Sequence, residues 1–311
     1  MKAMPRHGSC LSILPLAVVL LATSGCSQTS SHAQGNPPVP PIEFVGQWGA
    51  KGDLPGQLDD PAGIATDNLG NVYVTDAGSH FIHKFDARGT PLLSFQEVPL
   101  KHPQSIAVDD EGLIYVTDPV RASVFIFMPD DQRHRELRVR ARPSAENELS
   151  VGVDDDGVIY VLDASTGKVF TYTSRLHFRR AWTPGSEKTH WGPLELGGDQ
   201  NIWILDSTAN RLLRFSGSGQ LLAGITPGSA NADPKIDGEF AVSRNYVFAM
   251  DANGLMLHVL TFDGHVKVDV DLAPQLGQAN RLPPPIAVSS RQELFVLDVP
   301  ECRVYRYRIH L

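Results

Sequence analysis

A chain of 311 residues, 42% hydrophobic and 20% charged, has the make-up of a globular protein able to bury a sizeable core, which excludes a disordered or low-complexity chain. Its formal charge of −8 speaks against nucleic acid as the main partner, and three cysteines are too few for a disulfide-stapled scaffold.

Residues 1–25 read as an export signal, because Lys2 and Arg6 precede an apolar run from Leu11 to Ala22 that is too short to span a bilayer as a helix. The run ends in Leu21-Ala22-Thr23-Ser24-Gly25-Cys26, which resembles the bacterial lipobox, with Thr23 where leucine is usual. The resemblance implies cleavage before Cys26 and lipid on that cysteine. Cys10 leaves with the signal and only Cys302 remains, so no internal disulfide is expected and Cys302 is expected to be a packed thiol. Ser27 rather than Asp after the cysteine resembles the sorting pattern of outer-membrane lipoproteins in enteric bacteria. Residues 26–41 then comprise the lipidated cysteine and the segment SQTSSHAQGNPPVPP, whose composition is that of an extended tether. Removing Lys2 and Arg6, and no acid, leaves 25 basic against 35 acidic residues and a formal charge of −10. The expected address is the bacterial cell envelope, anchored to the outer membrane through lipid on Cys26.

From Ile42 to Leu311 one unit recurs six times. In the first copy, DPAGIATDNLGNVYVTDAGSHFIHKFDARGTPLLSF (60–95), four short apolar runs are separated by turn residues, which predicts a four-stranded antiparallel meander. Aligned on the Asp that closes the second strand, the copies stand at Asp76, Asp118, Asp163, Asp206, Asp251 and Asp298. Three residues before each Asp is an aromatic: Tyr73, Tyr115, Tyr160, Trp203, Phe248 and Phe295. Nine residues after it comes Phe85, Phe127, Tyr172, Phe215, Leu260 or Tyr307. A period of 42 to 47 residues signals a propeller blade or a solenoid unit. One twisted four-stranded sheet has two apolar faces and needs a neighbour on each, so the aromatics are expected to wedge between blades. The innermost strands read GIAT, SIAV, SVGV, PLEL, EFAV and PIAV, with a small residue in the middle that Glu195 breaks.

The first copy, with its proline, small and aliphatic run, Gly-Asn-Val-Tyr-Val-Thr-Asp and strand ending Lys84-Phe85, resembles the NHL repeat. The resemblance implies an all-β, six-bladed β-propeller of four-stranded antiparallel blades over residues 42–311. The sixth copy stops at Leu311 without a fourth strand, and Ile42–Trp48 precedes the first copy with the character of an outermost strand, so the two are expected to pair and close the ring. A tandem solenoid is the alternative. No copy carries the Trp-Asp ending of a WD40 blade.

A residue present in every blade serves the blade, whereas a site needs residues that break the repetition. The six Asp residues are therefore expected to accept hydrogen bonds from turn amides. Asp109-Asp110-Glu111-Gly112 and Asp154-Asp155-Asp156-Gly157 are read as turns, since the EF-hand spacing with its distal Glu is absent. Asymmetry concentrates where the chain leads into the innermost strands, at Asp60, His102, Asn147, His190, Ile236 and Leu282, then Pro61, Pro103, Glu148, Trp191, Asp237 and Pro283. Asp60, His102, His190, Trp191 and Glu195 are the candidate ligand-binding residues, suited to a small polar ligand or a peptide at a funnel mouth. The competing reading is that surface loops are polar and Trp191 caps the core.

The NHL-like amidating lyase carries zinc-binding histidines after the proline that opens an innermost strand, where this chain has Ala62, Gln104, Leu149, Gly192, Gly238 and Pro284, so that zinc site is not implied. His80 and His83, three apart on a strand, are expected to point to opposite faces and not to chelate together. The ligand set of the calcium-dependent lactonase propellers and a Gly-x-Ser-x-Gly nucleophile motif are not found. Arg133, Arg135, Arg138, Arg140 and Arg142 form a basic run near the outer strand of the second blade, read either as a docking patch or as protection of an exposed edge. Animal NHL domains that bind RNA use a basic top surface, which an acidic, exported domain does not imply.

The sequence thus predicts a lipid-anchored, monomeric propeller that acts as a binding or assembly scaffold for an envelope protein, peptide or small ligand, with no nucleic acid, cofactor, metal or catalytic residue assigned. The alternative function is a propeller enzyme, a lyase or lactonase-like hydrolase, with its active site in the funnel.

Overall fold

The computed structural model describes residues 40–96, 100–128, 134–185, 189–228, 234–277 and 282–311. The expected signal peptide, Cys26, most of the tether and Arg133 lie outside the described residues.

Six four-stranded antiparallel sheets form six blades. Five are consecutive meanders, and the sixth takes its outermost strand from the N-terminal side. Ile42–Trp48 pairs with Arg303–Ile309 in the register Ile42↔Ile309, Phe44↔Tyr307 and Trp48↔Val304, with a bulge between Phe44 and Gly46. Each innermost strand contacts the next, and that of blade 6 returns to that of blade 1, so the array is a closed ring and not an open solenoid.

Six hydrophobic clusters occupy the six gaps between blades. The aromatic three residues before each Asp faces the following blade: Tyr73 packs with Ile114 and Phe125, and Trp203 with Phe240 and Val247. The apolar residue nine after the Asp faces the preceding blade, as Phe85 does against Phe295 and Val304. All twelve are at most 3% exposed. One large side chain forward and one back per blade is what lets sheets too thin to stand alone bury both faces.

Cys302 is a buried free thiol, Sγ 3.4 Å from the Asp59 carbonyl oxygen, where the sixth blade meets the first. His80 departs from expectation. The third strand of blade 1 begins only at Ile82, and His80 sits in the preceding turn at φ 62°, so strand alternation does not govern the His80–His83 pair.

Candidate functional site

The repeated Asp residues are structural. Asp76 is fully buried and accepts the backbone N–H groups of Asp59 (2.7 Å), Asp60, Gly78 and Ser79 (each 3.0 Å), tying the turn after the second strand to the loop that leads into the first. Burial alone would raise its pKa, but His83 and these amides hold it well below the usual carboxylate range. Asp118 accepts Lys101 N–H at 2.7 Å, and Asp163 the Ser165 and Thr166 amides.

The turn between the first and second strands carries another set. Asp67, Asp109 and Asp154 each accept two turn amides and the hydroxyl of the wedge tyrosine six residues on, Tyr73 at 3.0 Å, Tyr115 at 2.9 Å and Tyr160 at 2.8 Å. The two Asp-rich turns are thus occupied by their own amides and tyrosines.

The structure does not gather the sequence-predicted site residues. Asp60 and His190 are exposed and His102 is half-buried. Asp60 and His190 hold their loops through the backbone: Asp60 O accepts Ala77 N–H, and His190 N–H donates to Thr208 Oγ1 at 2.8 Å. The Trp191 indole is 2% exposed in the cluster between blades 3 and 4, a packing group. Trp191 pairs with Asp206 at one end of its strand, whereas Glu195 pairs with Trp203 near the other. Four residues of strand put roughly 13 Å between them.

Glu195 instead meets residues of neighbouring blades. Leu194 and Leu196 pack toward blade 3, so the strand alternation turns Glu195 toward blade 5. There the innermost strand Ile236–Val242 is bulged between Ile236 and Phe240, with Gly238 at φ +97° against Pro283, where a Cβ would lie 2.8 Å from the proline ring. The bulge presents Glu239, while Phe240 next to it is wholly buried. Glu195 and Glu239 are each part-exposed on an innermost strand, which opens them to the ring axis, and neither makes a hydrogen bond or ion pair among the described residues. Burial pushes the pKa of Glu195 well up, with the charge of Glu239 adding to it. Burial, then Glu148, pushes Glu239 up to about 7. Glu148, on the loop leading into the innermost strand of blade 3, completes a set of three acids from three consecutive blades. Two such carboxyls titrate as one system and suit a ligand that brings positive charge or hydrogen-bond donors.

Sequence reading singled out Glu195 and did not single out Glu239. The signal was present in EFAV, where Glu239 stands in line with Gly63, Ser105 and Ser150. Ser105 Oγ and Ser150 Oγ accept the amides of Val151 and Leu194 in the next blade, a latch that Glu239 does not make.

A separate cleft of ≈ 530 Å³ on blade 5 is lined by Lys235, Asp251, Asn253, Met256, His258 and Asp269, none of them an axial glutamate. His258 Nδ1 is 2.7 Å from Asp269 Oδ1 there. The equivalent His83 of blade 1 is 2% exposed, with Nδ1 on Ser94 Oγ at 2.9 Å.

Residues 58–85 match the NHL repeat. No curated protein sequence matches the chain. Among solved structures it is similar to a streptogramin B lyase, 14% identical, with a TM-score of 0.63 over 86% of this chain and 98% of that one. It is also similar to a catalytically inactive histidine-to-alanine variant of virginiamycin B lyase from Staphylococcus aureus with quinupristin, at 14% identity and TM-score 0.59 over 82% and 83% of the two chains. Raptor from Chaetomium thermophilum gives 12% and 0.58 over 86% of this chain and 29% of that one. At such identities the likeness is one of fold. The chain is a six-bladed β-propeller whose first blade is built on an NHL repeat.

Proposed function

We propose that the protein is an extracytoplasmic binding module, tethered to the membrane through Cys26, that receives the cationic group of a ligand at Glu195 and Glu239 on the ring axis. The observation that carries this is the pair of unpartnered carboxyls on adjacent innermost strands. A carboxyl removed from water without a partner costs stability, and four blades avoid that cost with Ala65, Ala107, Ala241 and Ala287 at the position of Glu195. An ammonium or guanidinium group entering the axis supplies the missing partner. The lipobox-like LATSGC and the Ser- and Pro-rich residues that follow support the tether.

Calorimetry with penta-lysine as probe tests the site. Binding is expected at pH 8, weakening at pH 5.5 as the pair takes up protons, and lost in a Glu195→Gln/Glu239→Gln variant that melts normally. Equal binding by that variant overturns the reading.

One observation favours a second reading, a lyase-like enzyme: Glu239 at about 7 holds or releases its proton near neutrality, as general acid–base catalysis requires. Two of the fold neighbours are described as streptogramin B and virginiamycin B lyases. Here the test is whether quinupristin is consumed by the protein and spared by Glu239→Gln; persistence of quinupristin with the unaltered protein removes it as the substrate of this reading.

A further inference from the structure

We infer that the edge formed by the outermost strands of blades 2 and 3 docks on an anionic phospholipid surface. Residues 134–142, HRELRVRAR, and 173–182, TSRLHFRRAW, place Arg135, Arg138, Arg140, Arg142, Arg175, Arg179 and Arg180 on that edge, all exposed, and within these two described segments Glu136 is the sole acid and there is no lysine. The patch is continuous across the two blades. Arg140 lies 3.8 Å over the Phe178 ring, Arg135 Nη1 donates to Ser174 O at 3.2 Å, and Arg180 Nη1 donates onward to Ser218 O of blade 4 at 3.0 Å. Arg142, Arg175 and Arg179 make no ion pair among the described residues.

Protection of a bare sheet edge does not account for this. The outermost strands Pro91–Phe95 and Leu221–Ile225 carry no charge and leave Leu92, Leu221 and Leu222 about half exposed. Val266–Asp271 alternates Lys267 with Asp269 and Asp271. Charge of one sign is confined to two adjacent blades of a protein whose formal charge is −8.

The chemistry of the patch selects its partner. Guanidinium forks match phosphate oxygens two at a time, and arginines spread along two strands suit a plane of headgroups, not one enclosed phosphate. The exposed Phe178 ring adds an apolar contact at headgroup depth. The acidic remainder is repelled by the same surface, so the patch orients the molecule. With its rim against the membrane, the propeller holds its axis along the bilayer and both mouths open to solvent. The inference goes beyond ligand binding on the axis, and draws on the anchor only for proximity: fifteen tether residues reach at most about 50 Å.

The test uses residues 40–311, a ring complete through the Ile42–Trp48 strand and free of Cys26, so the anchor plays no part. In co-sedimentation, phosphatidylcholine vesicles with 30 mol% phosphatidylglycerol are expected to bind it at low salt and release it at high salt, and pure phosphatidylcholine to leave it in solution. Arg138→Gln/Arg142→Gln/Arg179→Gln spares the three arginines that brace the blades and should lower the partition coefficient by about two orders of magnitude. Lys101→Gln/Lys267→Gln/Arg291→Gln changes net charge equally and should leave it within about threefold. Equal loss in both variants, equal binding to both vesicle types, no binding to anionic vesicles, or tighter binding to a single-stranded RNA oligonucleotide than to vesicles overturns the proposal. The anchor is tested separately, by whether Cys26→Ser releases the full chain from membranes.

Discussion

Asp76 on blade 1 and Glu239 on blade 5 are both carboxyls that the fold removes from bulk water, and their surroundings treat them in opposite ways. Asp76 is met by four backbone amides and stays ionised well below the usual range. Glu239 is met by none, has Glu148 near it, and is pushed up to about 7. A carboxylate with a full set of donors belongs to the architecture, whereas one without donors lowers stability and has room for a ligand. Position in the repeat separates the two: every blade has an Asp at the end of its second strand, and only one has a Glu at the start of EFAV.

The largest effect should come from breaking the partnered member. Asp76→Ala leaves four amides without their acceptor, and urea unfolding should show a loss of about 3 kcal/mol or more. The same change at Asp298 is an internal control, because among the backbone groups of the described residues that carboxyl accepts the Glu301 amide alone, at 3.3 Å, with the Tyr305 side chain as a further donor, and burial raises its pKa. Asp298→Ala should cost about 1 kcal/mol. Equal losses at the two positions would show that the Asp contributes volume and not its hydrogen bonds.

Titration sharpens the contrast. The native pKa of Glu239 is raised, so the folded state holds a proton that the unfolded chain has lost. Its contribution to stability is full below about 4.5 and disappears as pH rises through about 7. Asp76 runs the other way: its contribution is present above about 3.8 and is lost as pH falls toward its depressed native value. Glu239→Gln should therefore gain on the unaltered protein by on the order of 2 kcal/mol between pH 5 and pH 7.5. A difference independent of pH would mean that Glu239 titrates normally and that the axis is wet enough to solvate it.

What the sequence disclosed follows the same division. The blade count, the forward and backward wedges and the closing strand were legible because each repeats six times or completes a set, and packing between identical units leaves a period. The axial pair was half legible: Glu195 interrupts a column of small residues, but Glu239 sits in a bulge that shifts the strand by residues no period predicts, and it is a left-handed Gly238 against Pro283 that makes it. Trp191 misled for the opposite reason. It stands at a loop boundary in the sequence, yet its side chain turns into the gap between blades, where Gly167 leaves space for the indole: a Cβ there would lie 2.6 Å from its Nε1.

The smallest expected effect concerns the lower turns, where partnered carboxylates vary with their partners. Blades 1 to 3 pair a turn Asp with a wedge tyrosine. Blade 5 has Ser243 with Phe248 and blade 6 has Ser289 with Phe295: Ser243 Oγ accepts the Asn245 and Tyr246 amides and donates to Tyr246 O, and Ser289 Oγ accepts the Glu293 amide. Blade 4 keeps Trp203, with Nε1 3.4 Å from an Asp199 displaced along the turn. Where the ring has no hydroxyl to offer, the deeper carboxylate is missing too, which is what a hydrogen bond between them requires if an unpaired buried oxygen is costly. Tyr160→Phe should then lose about 1 kcal/mol in unaltered protein and close to nothing in an Asp154→Ser background. The coupling in that double-mutant cycle is the measurement, since it cancels whatever each change does by itself. A cycle that closes at zero would mean that the 2.8 Å contact adds nothing to stability and that the pairing of ring and turn across the blades reflects packing alone.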